Sequence, residues 1–158
     1  AGVTASSPSP TPGDAHRVVL TRVVFSSEGL GTQVTVTVHV GGASYDGVVD
    51  VGAAPGAVTL AAAQATLAAV QAALTARPAE PASAGRAEAG GLPVRLELDR
   101  VEVSGHEPDA VATVVVSMLT RAGLLRHAGA ALVHGDARQA VVRATLAAVN
   151  RRLEPYFD

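Results

Sequence analysis

The sequence predicts an α+β domain in which one β-β-β-α unit occurs twice, so that two three-stranded antiparallel sheets pack with two helices around a pseudo-twofold axis. Three observations carry this prediction. Residues 17–25 (RVVLTRVVF) match residues 95–103 (RLELDRVEV) at an offset of 78, and residues 65–70 (ATLAAV) are identical to residues 144–149 at an offset of 79. Two matches in order at nearly one offset indicate duplication. In each half the apolar pattern also changes from period two to a helical stripe at the same place.

The first strand of each copy carries an irregularity. Val18 and Leu20 share one parity while Val23 and Phe25 have the other, and Leu96 and Leu98 stand against Val101 and Val103 in the same way. A bulge near Thr21-Arg22 and near Asp99-Arg100 returns both sets to one face. In the second strand Val34, Val36, Val38 and Val40 alternate with Thr35, Thr37 and His39, and Ala112, Val114, Val116 and Met118 occupy the matching places. These patterns predict half-buried antiparallel strands. A turn at Gly41-Gly42 leads to a third strand over residues 45–51, whose counterpart covers about 127–133 after a longer hairpin tip at 120–124.

The period then becomes helical. Ala63, Leu67, Val70 and Leu74 recur in copy two as Val142, Leu146, Val149 and Leu153. Pro55-Gly56 and Gly135-Asp136 mark the helix entrances, with Asp136 a suitable N-cap, and Pro78 and Pro155 follow the exits. A three-stranded sheet with one helix is small, so the copies are expected to pack on each other.

The domain organisation follows from composition. Residues 1–16, rich in Ser, Pro and Thr, read as a tail or linker. Residues 17–158 read as a single duplicated domain: repeat one over 17–75, a Pro/Gly/Ala linker over 76–94, and repeat two over 95–158.

Of 158 residues, 48% are apolar and the formal net charge is -2, which excludes the strong basicity of a nucleic-acid binder. All twelve basic residues are Arg, a pattern read first as codon bias. The chain has no Cys, so disulfides, thiolate nucleophiles and thiolate metal sites are excluded. Apolar stretches are interrupted by Thr, Gln, Arg and Gly, and no membrane span is expected. The start lacks a basic segment followed by an apolar one, so no signal peptide is read there and a cytoplasmic setting is the default expectation.

No residue constellation indicates an enzyme. His127, His134 and Asp136 can be imagined as metal ligands, but residues around a strand end read more simply as solvated loop, and no metal or other cofactor is expected. Glu97, Asp99 and Glu102 share a strand with Arg95 and Arg100 and read as a charge-balanced sheet face. No serine has a nucleophile-elbow context, and Gly29-Leu30-Gly31 joins two strands where a dinucleotide fingerprint would open a helix. Residues 52–59 (GAAPGAVT) run from a strand into a helix, where free N–H groups can hold an anion.

Residues 45–70 (YDGVVDVGAAPGAVTLAAAQATLAAV) and 127–153 (HAGAALVHGDARQAVVRATLAAVNRRL), each a strand running into an Ala-rich helix, resemble the C-terminal regulatory domain of the isopropylmalate, citramalate and homocitrate synthases. That domain binds leucine and dimerises. The Gly-rich stretch with Gly-Pro before the family's helix is approximated by Gly52 and Pro55-Gly56 and is missing from copy two, and the catalytic barrel is absent. The resemblance implies a non-catalytic regulatory or small-ligand-binding module, a homodimer, with a small anionic metabolite or branched amino acid held near Gly52, Pro55, Gly56, Gly135 and Asp136. The alternative is a structural protein that self-associates through its sheets.

Overall fold

The computed structural model describes residues 17–76, 94–153 and 156; the tail over 1–16, residues 77–93 of the linker, and Pro155 lie outside the described residues. The element order is β1 (Val19–Glu28), β2 (Gly31–Val40), β3 (Ala43–Gly52), α1 (Pro55–Ala76), β4 (Val94–Ser104), β5 (Val111–Thr120), β6 (Gly123–Leu132) and α2 (Ala137–Leu153). Strands β1-β2-β3 form one antiparallel sheet and β4-β5-β6 a second, each followed by its helix. The domain is α+β with a duplicated βββα unit.

The predicted bulges lie between Leu20 and Arg22 in β1 and between Leu98 and Arg100 in β4. Each bulged side chain is tied to the central strand. Thr21 Oγ1 donates to the Thr37 carbonyl at 3.1 Å, and Asp99 accepts from the Ser117 hydroxyl. Beyond the bulges, Val23 and Phe25 oppose Val36 and Val34, and Val101 opposes Val114, on the face that holds the core, while Val103, opposite Ala112, is exposed at the strand's end.

The Gly41-Gly42 turn has φ of 57° and 88°, a two-residue hairpin closed by residues without a Cβ. Copy two differs from the reading of a longer tip at 120–124. Thr120 pairs with Gly123 across another two-residue turn, so the additional residues extend both arms of the hairpin. Gly47 opposes Val36 and Gly129 opposes Val114. The strand offset therefore grows from 78 before the hairpin to 82 after it, two extra residues per arm. His127 consequently stands within β6, opposite Val116, and is not a loop residue flanking the strand.

The repeated hexapeptide is a packing device. A Cβ added to Gly47 would stand 1.9 Å from the Ala65 carbonyl oxygen and 2.6 Å from the Ala69 nitrogen. One added to Gly129 would meet the Ala144 oxygen at 2.0 Å and the Ala148 nitrogen at 2.5 Å. Each helix thus lies backbone to backbone on its own third strand, which requires Gly on the strand and Ala on the helix. Thr66 and Thr145, both fully buried, satisfy their hydroxyls by donating to the Ala62 and Val141 carbonyls at 2.7 Å.

At 100° per residue the Leu/Val stripe lies about half a turn from Ala65 and Ala69. It faces away from β3, on the side where α1 meets α2 and β4. All eight stripe residues are buried. Each buried Val or Leu side chain contributes about 1.5–3 kcal/mol, so the two repeats hold one core jointly.

The first strands are edge strands, and each is met by an amide side chain from the other repeat. Gln71 Nε2 donates to the Val94 carbonyl at 3.1 Å, and Leu96 N–H donates to Gln71 Oε1 at 2.9 Å, as a neighbouring strand would. Asn150, the residue matching Gln71, accepts from Val18 N–H and donates to the Val18 carbonyl, both at 3.2 Å. This reciprocity expresses the pseudo-twofold axis.

Helix α1 corrects one expectation. Its 22 residues, with a mean hydropathy of 1.5 over 18 of them, are long and apolar enough to cross a membrane by length and composition, because Gln64, Thr66 and Gln71 interrupt the run without charging it. In this fold 61% of that segment is buried within the protein.

Candidate functional site

The two helix entrances lie on one cleft across the join between the repeats. Its volume is 430 Å³, and its walls include Ser27 and Thr32 of the first sheet, Pro55 and Thr59 of α1, and Ala137 and Arg138 of α2. Thr32 is buried and shares a hydrogen bond with Ser27, hydroxyl to hydroxyl at 3.1 Å.

The two entrances differ in what they offer a ligand. At α2 the chain's own carboxylates take the amides: Glu107 Oε1 accepts from Gly135 N–H at 2.7 Å, and Asp136 Oδ1 accepts from Arg138 N–H at 2.9 Å. Gly135 has φ of 80°, which lets the chain turn into the helix there. The Arg138 guanidinium is engaged as well, donating to both Asp136 oxygens at 3.0 Å and lying 3.9 Å above the Phe25 ring. The side-chain hydrogen bond from Arg138 holds the Asp136 carboxyl below its usual range, opposed by partial burial, and the same bond raises the Arg138 pKa. Gly135 and Asp136 therefore spend their polar groups within the chain.

At α1 the arrangement is open. Ala54 precedes Pro55 and has no side-chain oxygen to act as a cap, and among the described residues the N–H groups of Gly56 and Ala57 have no partner. Proline at the first helical position has no N–H to lose. Gly52 ends β3 opposite Gly31 outside the cleft walls, and Gly56 stands exposed in the first turn. Of the five residues singled out from sequence, Pro55 lines the cleft directly and the others flank it. Sequence reading missed Ser27, Thr32 and Arg138, which come together only when the repeats dock.

His127, His134 and Asp136 do not converge, and no group of three metal-ligating side chains occurs among the described residues. His127 is partly buried with Nε2 enclosed and unpaired; desolvation, followed by the Arg152 cation, lowers its pKa. The acidic residues of β4 are paired on the exposed sheet face, Arg95 with Glu97 at 3.5 Å, Arg100 with Glu102, and Arg126 of β6 with Asp99 at 3.4 Å. Such exposed pairs contribute little to stability.

A second cleft, of 590 Å³, separates β1 from α2 on the other side of the join. A scan against protein-family models and a search of the curated proteins each find no match to this chain.

Proposed function

We propose that the chain is a non-catalytic regulatory module that holds a small anionic metabolite or branched amino acid at the join between its repeats. The observation that supports this reading is the convergence of both helix entrances on one cleft, with no side-chain cap at α1 while Asp136 caps α2 at the Arg138 N–H. A carboxylate at the α1 entrance would accept the Gly56 and Ala57 N–H groups, aided by the helix dipole. A ligand there touches both repeats and so stabilises their docking. The likeness of residues 45–70 and 127–153 to the synthase regulatory domain points the same way.

A thermal-shift panel of branched amino acids and short carboxylates tests this. Stabilisation at millimolar concentration is expected, and it should vanish in Gly56→Asp, which places a carboxylate where the ligand's would sit. An unchanged melting temperature across the panel contradicts the reading.

Self-association is the second reading, and β6 favours it. Its ten residues include exposed Leu124, Leu125 and Leu132 and no carboxylate, whereas the matching edge strand β3 carries Asp46 and Asp50. An edge strand with exposed leucines and Arg126 as its one charged residue is a template for pairing with a second copy. Light scattering that finds only monomer at every accessible concentration removes this alternative.

A further inference from the structure

The pseudo-twofold axis supplies an internal control, because outside the longer second hairpin the positions of one repeat have counterparts in the other. Applied to the two faces where a helix meets the other repeat's first strand, it exposes a departure. Helix α1 packs along β4, whereas α2 stands off from β1 and leaves the 590 Å³ cleft between them. The cleft is large enough for a ligand of metabolite size.

The side chains differ as sharply as the packing. Arg143 in α2 replaces Gln64, His39 in β2 replaces Ser117, and Val19 and Thr21 in β1 replace Glu97 and Asp99. Arg17 and Arg95 occupy equivalent places, but Arg95 is paired with Glu97 while the residue two after Arg17 is Val19. Among the described residues the walls of the open cleft hold two arginines and no carboxylate, whereas the equivalent positions of the other repeat hold one arginine and two carboxylates, of which Asp99 is also paired with Arg126. Arg143 is positioned by donating from Nη2 to the Leu132 carbonyl at 2.8 Å, which leaves its other N–H groups for a ligand. The cleft walls also include Leu20, Leu146 and Val19, the last 43% exposed.

From this internal comparison we infer that the cleft between β1 and α2 binds a small organic anion with an aliphatic body. Its acidic group lies between the Arg17 and Arg143 guanidinium groups, whose planar donors suit carboxylate and phosphate alike. The body lies on Leu20 and Leu146. The ligand carries a net negative charge and is not an amino acid, because an α-ammonium group would find no carboxylate among the described residues of the cleft and would be repelled by two cations. This site is separate from the α1 entrance and does not depend on it.

The test is a residue-resolved NMR titration of the whole chain with three six-carbon probes, hexanoate, hexyl phosphate and norleucine. Hexanoate or hexyl phosphate should shift the amides of residues 18–21 and 146–150, and the stronger of the two identifies the acidic group. Norleucine should bind at least about ten-fold more weakly, and Arg143→Gln, which installs the residue of the other repeat, should weaken the anion by about ten-fold or more. Arg17→Gln gives the same readout should Arg143→Gln fail to fold. Shifts confined to the α1 entrance, norleucine binding as tightly as the anions, or unchanged affinity in the folded arginine variants would each overturn the assignment.

Discussion

Replacing Gly47 by Ala puts the tightest approach found at the described glycines under direct strain. The added Cβ would stand 1.9 Å from the Ala65 oxygen, 1.1 Å inside the 3.0 Å below which Cβ contacts essentially do not occur. Both partners are backbone in regular elements, so no side chain can swing aside and α1 must back away from β3 by about that distance. A gap of about 1 Å forfeits up to about half of the dispersion energy along the contact. Overpacking costs about 1–3 kcal/mol where side chains can yield, and with backbone on both sides about 3 kcal/mol or more is expected. For a domain of this size that lowers the melting temperature by about 6–12 °C. Gly129→Ala, with its Cβ 2.0 Å from the Ala144 oxygen, should lose a similar amount. Gly52→Ala and Gly56→Ala, where a Cβ meets nothing within 4 Å, should change stability by about 1 kcal/mol or less. Urea unfolding of the four variants is the assay. A Gly47→Ala or Gly129→Ala protein within 1 kcal/mol of the parent would refute the backbone-to-backbone packing.

Four other substitutions probe the join and the charges. Gln71→Ala leaves the Val94 carbonyl and the Leu96 N–H without their partner and should cost about 1–3 kcal/mol; Asn150→Ala should do the same through Val18, and equilibrium unfolding measures both. Because burial and Arg152 lower the His127 pKa in the folded chain, the unfolded chain takes up that proton first. The contribution of neutral His127 is therefore full above about pH 6.5 and is lost as the pH falls below it. His127→Tyr, which copies Tyr45 of the first repeat, should flatten the difference in urea midpoint between pH 7.5 and pH 5; an identical pH dependence in the variant would contradict this. Asp136→Ala removes the α2 cap and should cost about 1 kcal/mol at neutral pH. That loss should disappear in acid, since the folded-state pKa of Asp136 is lowered and its contribution fades as the pH drops below the ordinary carboxylate range.

The duplication, the strand faces and both bulges were legible in the sequence because they are local. A change of parity between Leu20 and Val23, repeated between Leu98 and Val101, has a bulge as its simplest geometry. The helical stripe was legible for the same reason, but its direction was not. Residues 63, 67, 70 and 74 announce an apolar face without saying whether it meets the helix's own sheet or the other repeat. The small residues decide that: Gly47 and Gly129 draw the Ala faces onto the third strands and turn the Leu/Val faces toward the join. Their signal was present as a Gly at the matching place of both third strands, each followed by an Ala-rich helix. The amides of Gln71 and Asn150 had a signal too, since each immediately follows the identical hexapeptide. His127 reads from sequence as a strand end because the tip reads as running to Leu124, whereas β6 begins at Gly123. The candidate sites were least legible, since Arg138 joins Pro55 in one cleft and Arg143 joins Arg17 in another only when the repeats dock, a long-range event with no period to betray it.

The reciprocal amide contacts are the part of this account that unlike halves could not reproduce. An NMR measurement of through-space transfer from the Gln71 side-chain amide to the Leu96 N–H, and from the Asn150 side-chain amide to the Val18 N–H, addresses them directly. Both cross-peaks are predicted in the folded chain; a folded, assigned protein that shows only one, or neither, would contradict the pseudo-twofold join.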